Sequence, residues 1–268
     1  MKPSIQHLTA ILALAFLASV SNAHEAQTPV SRLMEESGLN AQIAEIPVAL
    51  DDAQKKMGLK KEIYDAAKGS FNAVKMTRGV KEKIEKSLSA DEVKAVLEWL
   101  DSPTGKKITE MEKAASSVKS MEEIKPFAAE LEKGGPRVEL VKRLNSAILG
   151  TDVALDMARN ITVSMTASLN PSKDLDMKMI QEQIRNSISA MKPMIEQQVL
   201  STILYTYRNL SDKELTRYIG FAETKDARHY HQVACSAIND EMTAASSSIG
   251  ESIGKSIKSQ KTDGEASR

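Results

Sequence analysis

The residues best equipped for chemistry in this 268-residue chain lie near its end: Asp226, His229, His231, Cys235 and Asn239. His231, Cys235 and Asn239 recur every four positions, so on a helix they share one face. Those types are what a thiol nucleophile, its base and an orienting amide require. The spacing argues against that use. Side chains stacked along one helix lie beside each other, whereas known triads bring their members from separate elements to one carbonyl. Asp226 with His229, or His231 with Cys235, offers two metal ligands from one helical face. A closed site takes about four ligands, and a carboxylate di-iron bundle takes paired Glu-x-x-His runs with further glutamates. The chain has no such pair of runs, and after residue 23 His24 is the only other histidine. The glycine-rich phosphate loop, the nucleophile elbow and His-Glu-x-x-His are also lacking. The expectation is no catalytic, cofactor-binding or metal residue and no cofactor. The alternative is a hydrolase or metalloenzyme using His229, His231 and Cys235. Cys235 is the only cysteine, so no internal disulfide is expected, and its commonest use is as a small buried hydrophobe.

The elements that must position these residues read as helices throughout. Hydrophobic residues make up 41% of the chain and aromatics only 4%, a balance that favours helix over sheet. No alternating run bounded by turns marks a strand. Thr28-Pro29 opens the first helix as a capping residue followed by proline, and Gly38 stops it. A second segment from Asn40 carries Ile43, Ile46 and Leu50, with a kink expected at Pro47. Leu59 to Met76 places Ile63, Ala67, Phe71 and Val74 on one face. Val80, Ile84 and Leu88 extend an apolar stripe into the next helix. Beyond the strong Gly134-Gly135-Pro136 break the pattern restarts at Val138, Val141, Leu144 and Ile148.

Two stretches of this pattern align without a gap. In Leu88–Lys107 Ser89 stands three residues before Glu92, the spacing of a capping box, and Ser211 and Glu214 repeat it in Leu210–Tyr230. Val93, Val96, Leu97 and Trp99 meet Leu215, Tyr218, Ile219 and Phe221; Asp101-Ser102 meets Glu223-Thr224. The fold expected is therefore an all-α helical bundle built from two diverged helical repeats. The first repeat spans 24–133 and the second 134–258, with a disordered polar tail at 259–268. The first copy has Pro103 and Gly105 where the second has Lys225 and Ala227, so the second helix is expected to run straight through.

The run Glu92-Val93, Trp99-Leu100-Asp101 and Ser102-Pro103-x-Gly105-Lys106 resembles the EL…FY-x-SP-x-GxK signature of the bacterial domain of unknown function family 2059. The first copy is similar to that family over roughly Leu33 to Ala115, by its usual extent and the repeat logic. The second departs from it at the proline, the glycine and the residue beside the aromatic. The resemblance implies an exported, all-helical protein; it implies no catalytic residue, cofactor or substrate.

Residues 1–23 read as an export signal: Lys2, the apolar run Leu8–Val20, then Ser21-Asn22-Ala23 as a small-x-small cleavage site. Cleavage after Ala23 and a periplasmic address are expected, with no transmembrane segment in the mature chain. The full chain has 36 basic and 36 acidic residues, and losing Lys2 leaves 35 against 36. A near-neutral chain lacks the basic excess that tracks phosphates, so no nucleic-acid partner is expected. Methionines concentrate in the second half (Met157, Met165, Met177, Met179, Met191, Met194, Met242), and Ile249, Ile253 and Ile257 form a narrow apolar stripe. These suit a non-enzymatic binding or interaction protein of the cell envelope, whose partner is an unknown protein helix or an apolar small molecule.

Overall fold

Side chains, rather than helix propensity alone, set where the helices begin. In the computed structural model Thr28 Oγ1 accepts the Ser31 amide at 3.2 Å and opens α1, Pro29–Glu36. Gly38, left-handed at φ 78°, turns the chain into α2, Leu39–Met57. That helix is continuous through Pro47. After α3, Lys61–Ser70, the chain breaks at Phe71-Asn72, and Asn72 accepts the Lys75 amide at 2.9 Å to start α4, Ala73–Ser87. The single face expected over Leu59–Met76 is thus divided between two helices. The break turns Val74 out, 82% exposed, and hands the buried face to Met76, Val80 and Ile84.

α5 (Ala90–Asp101) carries the complete capping box: the Ser89 hydroxyl accepts the Glu92 amide and Glu92 accepts the Ser89 amide at 2.8 Å. Pro103 holds Ser102 extended and begins α6, Pro103–Ala115. Two short helices, α7 (Ser120–Ile124) and α8 (Pro126–Lys133), lead to Gly134 and Gly135, both at positive φ. The rest comprises α9 (Pro136–Ala147), α10 (Gly150–Leu169), α11 (Met177–Ala190), α12 (Lys192–Thr206), α13 (Asp212–Ala222) and α14 (Lys225–Ala266). The structure describes residues 28–58, 61–115, 120–169 and 177–266, and among these the regular structure is all α. The export signal and its cleavage site lie outside the described residues. The α14 backbone stays helical to Ala266, past the position where a disordered tail was expected; no proline interrupts it.

The two six-helix runs α1–α6 and α9–α14 pack by the same internal plan. In each, the first helix touches the second, fourth and fifth, the second touches the third and fourth, and the fifth touches the sixth. Each sixth helix also reaches the other run: α6 packs on α12 and α13, while α14 packs on α3, α4 and α5 and, unlike α6, also lies along the second helix of its own run, α10. The exchange is reciprocal, and it has polar counterparts. Lys107 on α6 pairs with the capping-box Glu214 at 2.7 Å, and His229 on α14 pairs with the capping-box Glu92 at 2.7 Å.

The exchange decides where the cores sit. One core joins α1–α5 to α10 and to Tyr230, Ile238, Met242 and Ile249 of α14. The other large one joins α9, α12 and α13 to Ile108 of α6, beside a small cluster of Ala115, Ile124 and Tyr205. Both cores draw on both sides of residue 134, so the halves pack into each other. Ile249 is fully buried and Ile253 packs against the same core, so these two residues of the C-terminal stripe belong to the body.

The expected run-through at residue 224 does not occur. α13 ends at Ala222, and the Thr224 hydroxyl accepts the Ala227 amide at 3.3 Å, as the Ser102 hydroxyl accepts the Gly105 amide at 3.0 Å. A capping side chain breaks this helix without any proline.

At the α9–α10 turn Leu149 holds φ 55°, a left-handed conformation that costs a side-chain-bearing residue about 1–3 kcal/mol. It stands between helices as Gly38 does in the first half, and 39% of it is exposed. Leu149→Gly is therefore expected to raise stability by about 0.5–1 kcal/mol in urea denaturation, the relief of strain exceeding the added freedom of the unfolded chain.

Candidate functional site

The reciprocal exchange leaves a cavity of about 240 Å³ between the halves. Its walls come from the α1–α2 turn, α5, α6, the α9–α10 turn, α10, α12, α13 and α14. Most of the lining is apolar, including Trp99, Ile108, Val153, Met157, Ile203 and Phe221. Trp99 and Phe221, the residues paired in the sequence alignment, stack on each other at 4.5 Å between ring centroids and 7° between planes. Trp99 also lies parallel to Tyr218 at 6.2 Å, and Tyr207 meets Tyr218 edge-on at 5.6 Å.

One carboxyl group interrupts this wall. Glu112 accepts the Tyr207 hydroxyl at 2.5 Å and the Tyr218 hydroxyl at 3.2 Å, both on Oε1. The surrounding body pushes its carboxyl up to about 6, and the two tyrosine hydrogen bonds offset only part of that burial. The accessible surface Glu112 keeps is consistent with its place in the cavity wall. Burial likewise raises both phenols well above their usual range. The sequence carried a signal for this group. Glu112 stands four residues after Ile108 and three before Ala115, on the face that helical periodicity assigns to the core.

The candidates named from sequence separate. His231 and Cys235 line the cavity; His229 does not. It lies across α14, against Glu92, in a shallow surface depression with Glu223, Lys225, Arg228 and Gln232. Two residues along a helix rotate a side chain by roughly 200°, so His229 and His231 cannot share a site on α14. Asn239 is half-buried, its side-chain oxygen has no partner, and it is absent from the cavity wall. The proposed grouping of His229, His231 and Cys235 is therefore not assembled. Burial pulls the His231 imidazole down to about 4 and pushes the Cys235 thiol up to about 11. A reactive cysteine needs the opposite shift, towards thiolate. No group of three or more His, Cys, Asp or Glu side chains among the described residues could hold a metal ion. The methionines also disperse: Met157 lines the cavity, Met165 and Met242 are core, and Met179 and Met194 are more than half exposed.

Glu112 and His231 tilt stability in opposite directions with pH. Between about pH 4.5 and 6 the folded chain keeps the Glu112 proton that the unfolded chain has lost, so stability falls as pH rises, by about 2 kcal/mol in all. His231 stays neutral in the fold where the unfolded chain takes up a proton, so its contribution is lost as pH falls from 6.5 towards 4. The two partly cancel where they overlap. Glu112→Gln is expected to gain about 1–2 kcal/mol at pH 7 and nothing at pH 4, read by urea denaturation at both pH values. The capping-box carboxylates behave differently. Glu92 is held down to about 2, first by the Ser89 amide and then by His229; Glu214 is held down to about 2, first by Lys107 and then by Ser211. Their contribution is present above pH 4.5 and is lost as pH falls towards 2.

No helix among the described residues is long and apolar enough to cross a membrane. No curated protein and no solved structure matches the chain. One family does. The matched segment starts in α4, well after Leu33, and it contains α5, α6, Trp99, the Ser102-Pro103 turn and Glu112. Residues 75–130 match the family described as "Uncharacterized protein conserved in bacteria (DUF2059)".

Proposed function

We propose that this protein is an exported, non-enzymatic binding protein of the cell envelope that holds a small apolar molecule in the cavity between its halves. The cavity carries this reading: a largely apolar chamber with a few convergent polar groups is the usual form of a small-molecule site. Its volume lies below the roughly 300–1,000 Å³ of pockets for drug-sized ligands, which points to a smaller occupant. A partner helix is supported less well, because Ile249 and Ile253 of the stripe that would receive it are spent on the protein's own core. The arrangement of residues 1–23 supports export to the periplasm with cleavage after Ala23.

Trp99 is the only tryptophan and forms part of the cavity wall, so its emission reports occupancy directly. Titrating toluene, benzyl alcohol and 1-hexanol is expected to change that emission saturably for at least one of them. Ala154→Phe, which puts a ring into the cavity from α10, is expected to remove the response while leaving the helical circular dichroism intact. Emission that drifts linearly with every compound, or equally in both proteins, would remove the reading. Export is tested by the mass of the chain recovered from the periplasm, expected to begin at His24; retention of residues 1–23 in the cytoplasm contradicts it.

A further inference from the structure

We propose that the occupant of the cavity is a small organic cation, an amine or quaternary ammonium on an apolar body. This rests on reading the cavity as a ligand site and goes further, to the charge of the ligand. The chain is poor in aromatics, yet Trp99, Tyr207, Tyr218, Phe221 and Tyr230 all line the cavity, half of the ten it has, with Trp99 and Phe221 each turning one face onto the other. Faces of such rings carry negative potential and attract cations, and aromatic boxes are a recurrent means of holding quaternary ammonium groups.

Glu112 adds a formal charge of the same sign. Among the described residues it is the only carboxylate in the lining, and the lining contains no lysine or arginine. Its partners are two tyrosine hydroxyls, which are neutral dipoles. The remaining titratable groups in the wall are Tyr230, His231 and Cys235, and none supplies a positive charge at neutral pH: Tyr230 and Cys235 are held protonated by burial, and His231 is held neutral by burial. Nε2 of His231 is buried without a hydrogen-bond partner and becomes an acceptor when the ring proton sits on Nδ1. A buried carboxylate with no cation beside it is costly, and a ligand that brings the cation removes that cost. An anionic ligand would meet Glu112 with like charge. A neutral hydrocarbon would cover the rings but leave Glu112 as it stands; Nε2 is partnered only by an amine that carries N–H.

The test compares three probes of one shape class by calorimetry and Trp99 emission at pH 7.5: benzyltrimethylammonium, its neutral carbon isostere neopentylbenzene, and phenylacetate. The cation is expected to bind at least tenfold tighter than the isostere, with no binding of phenylacetate. Glu112→Gln is expected to bring the cation and the isostere within about twofold of each other. Equal or tighter binding of neopentylbenzene, binding of phenylacetate, or an undiminished cation preference in Glu112→Gln would overturn this inference while leaving the cavity as a ligand site. Silence with all three probes, together with silence towards the neutral panel above, would remove both.

Discussion

Trp99→Ala is expected to lower stability by about 3 kcal/mol, at the low end of the range for removing a packed aromatic because Trp99 is only half-buried. The ring does more than fill space. It stacks on Phe221 and lies parallel to Tyr218, so it joins the fifth helix of the first run to the fifth helix of the second. Aromatic pairs of this kind contribute roughly 0.5–1.5 kcal/mol beyond the area they bury. Trp99→Phe keeps a stacking ring and is expected to cost only about 1 kcal/mol. Both variants remove the fluorophore, so urea denaturation is followed by circular dichroism. A loss below about 1 kcal/mol for Trp99→Ala would mean that the halves are held together elsewhere.

Gly105→Ala is expected to cost about 3 kcal/mol, close to the upper end of ordinary overpacking. A Cβ at Gly105 would lie 2.1 Å from the Trp99 carbonyl oxygen and 3.0 Å from the Leu100 Cα, and neither is the end of a flexible side chain. The closeness follows from the turn: a single extended residue, Ser102, separates α5 from α6. In the second half Glu223 and Thr224 both intervene, and Ala227, aligned with Gly105, is fully buried. Ala227→Gly is therefore expected to cost only about 1 kcal/mol, the usual helix penalty for glycine. Similar losses for the two substitutions would show that the tight turn is not what requires Gly105.

The contrast between these turns marks how far the sequence could be read. Capping boxes at Ser89 and Ser211, the Gly134-Gly135-Pro136 break and most of the apolar faces depend on neighbours within a few positions, and these are in place. The misplacement of Val74 and the expected run-through at Thr224 have one cause. A polar side chain can restart a helix as an N-cap, and periodicity alone continues across it. The exchange of α6 and α14 was not legible, because an apolar face does not name the face that covers it. The cavity follows from the exchange, so it was hidden too. Glu112 was visible as a charge on a buried stripe, but its meaning depends on Tyr207 and Tyr218, roughly a hundred positions away. The Arg32–Asp101 and Arg143–Glu223 pairs tie the first helix to the C-terminal end of the fifth in both halves, at Asp101 within the helix and at the capping residue Glu223 just after it, a correspondence that only the structure brings out.

The most direct measurement is native mass spectrometry of the protein recovered from the periplasm without denaturation, beside its Ala154→Phe variant. The wild-type chain is expected to carry an added mass that is released on unfolding and extracts into organic solvent as a small molecule, and the variant is expected to fly bare. A bare wild-type mass, or an added mass that survives the filled cavity, would contradict the assignment of the cavity as the binding site.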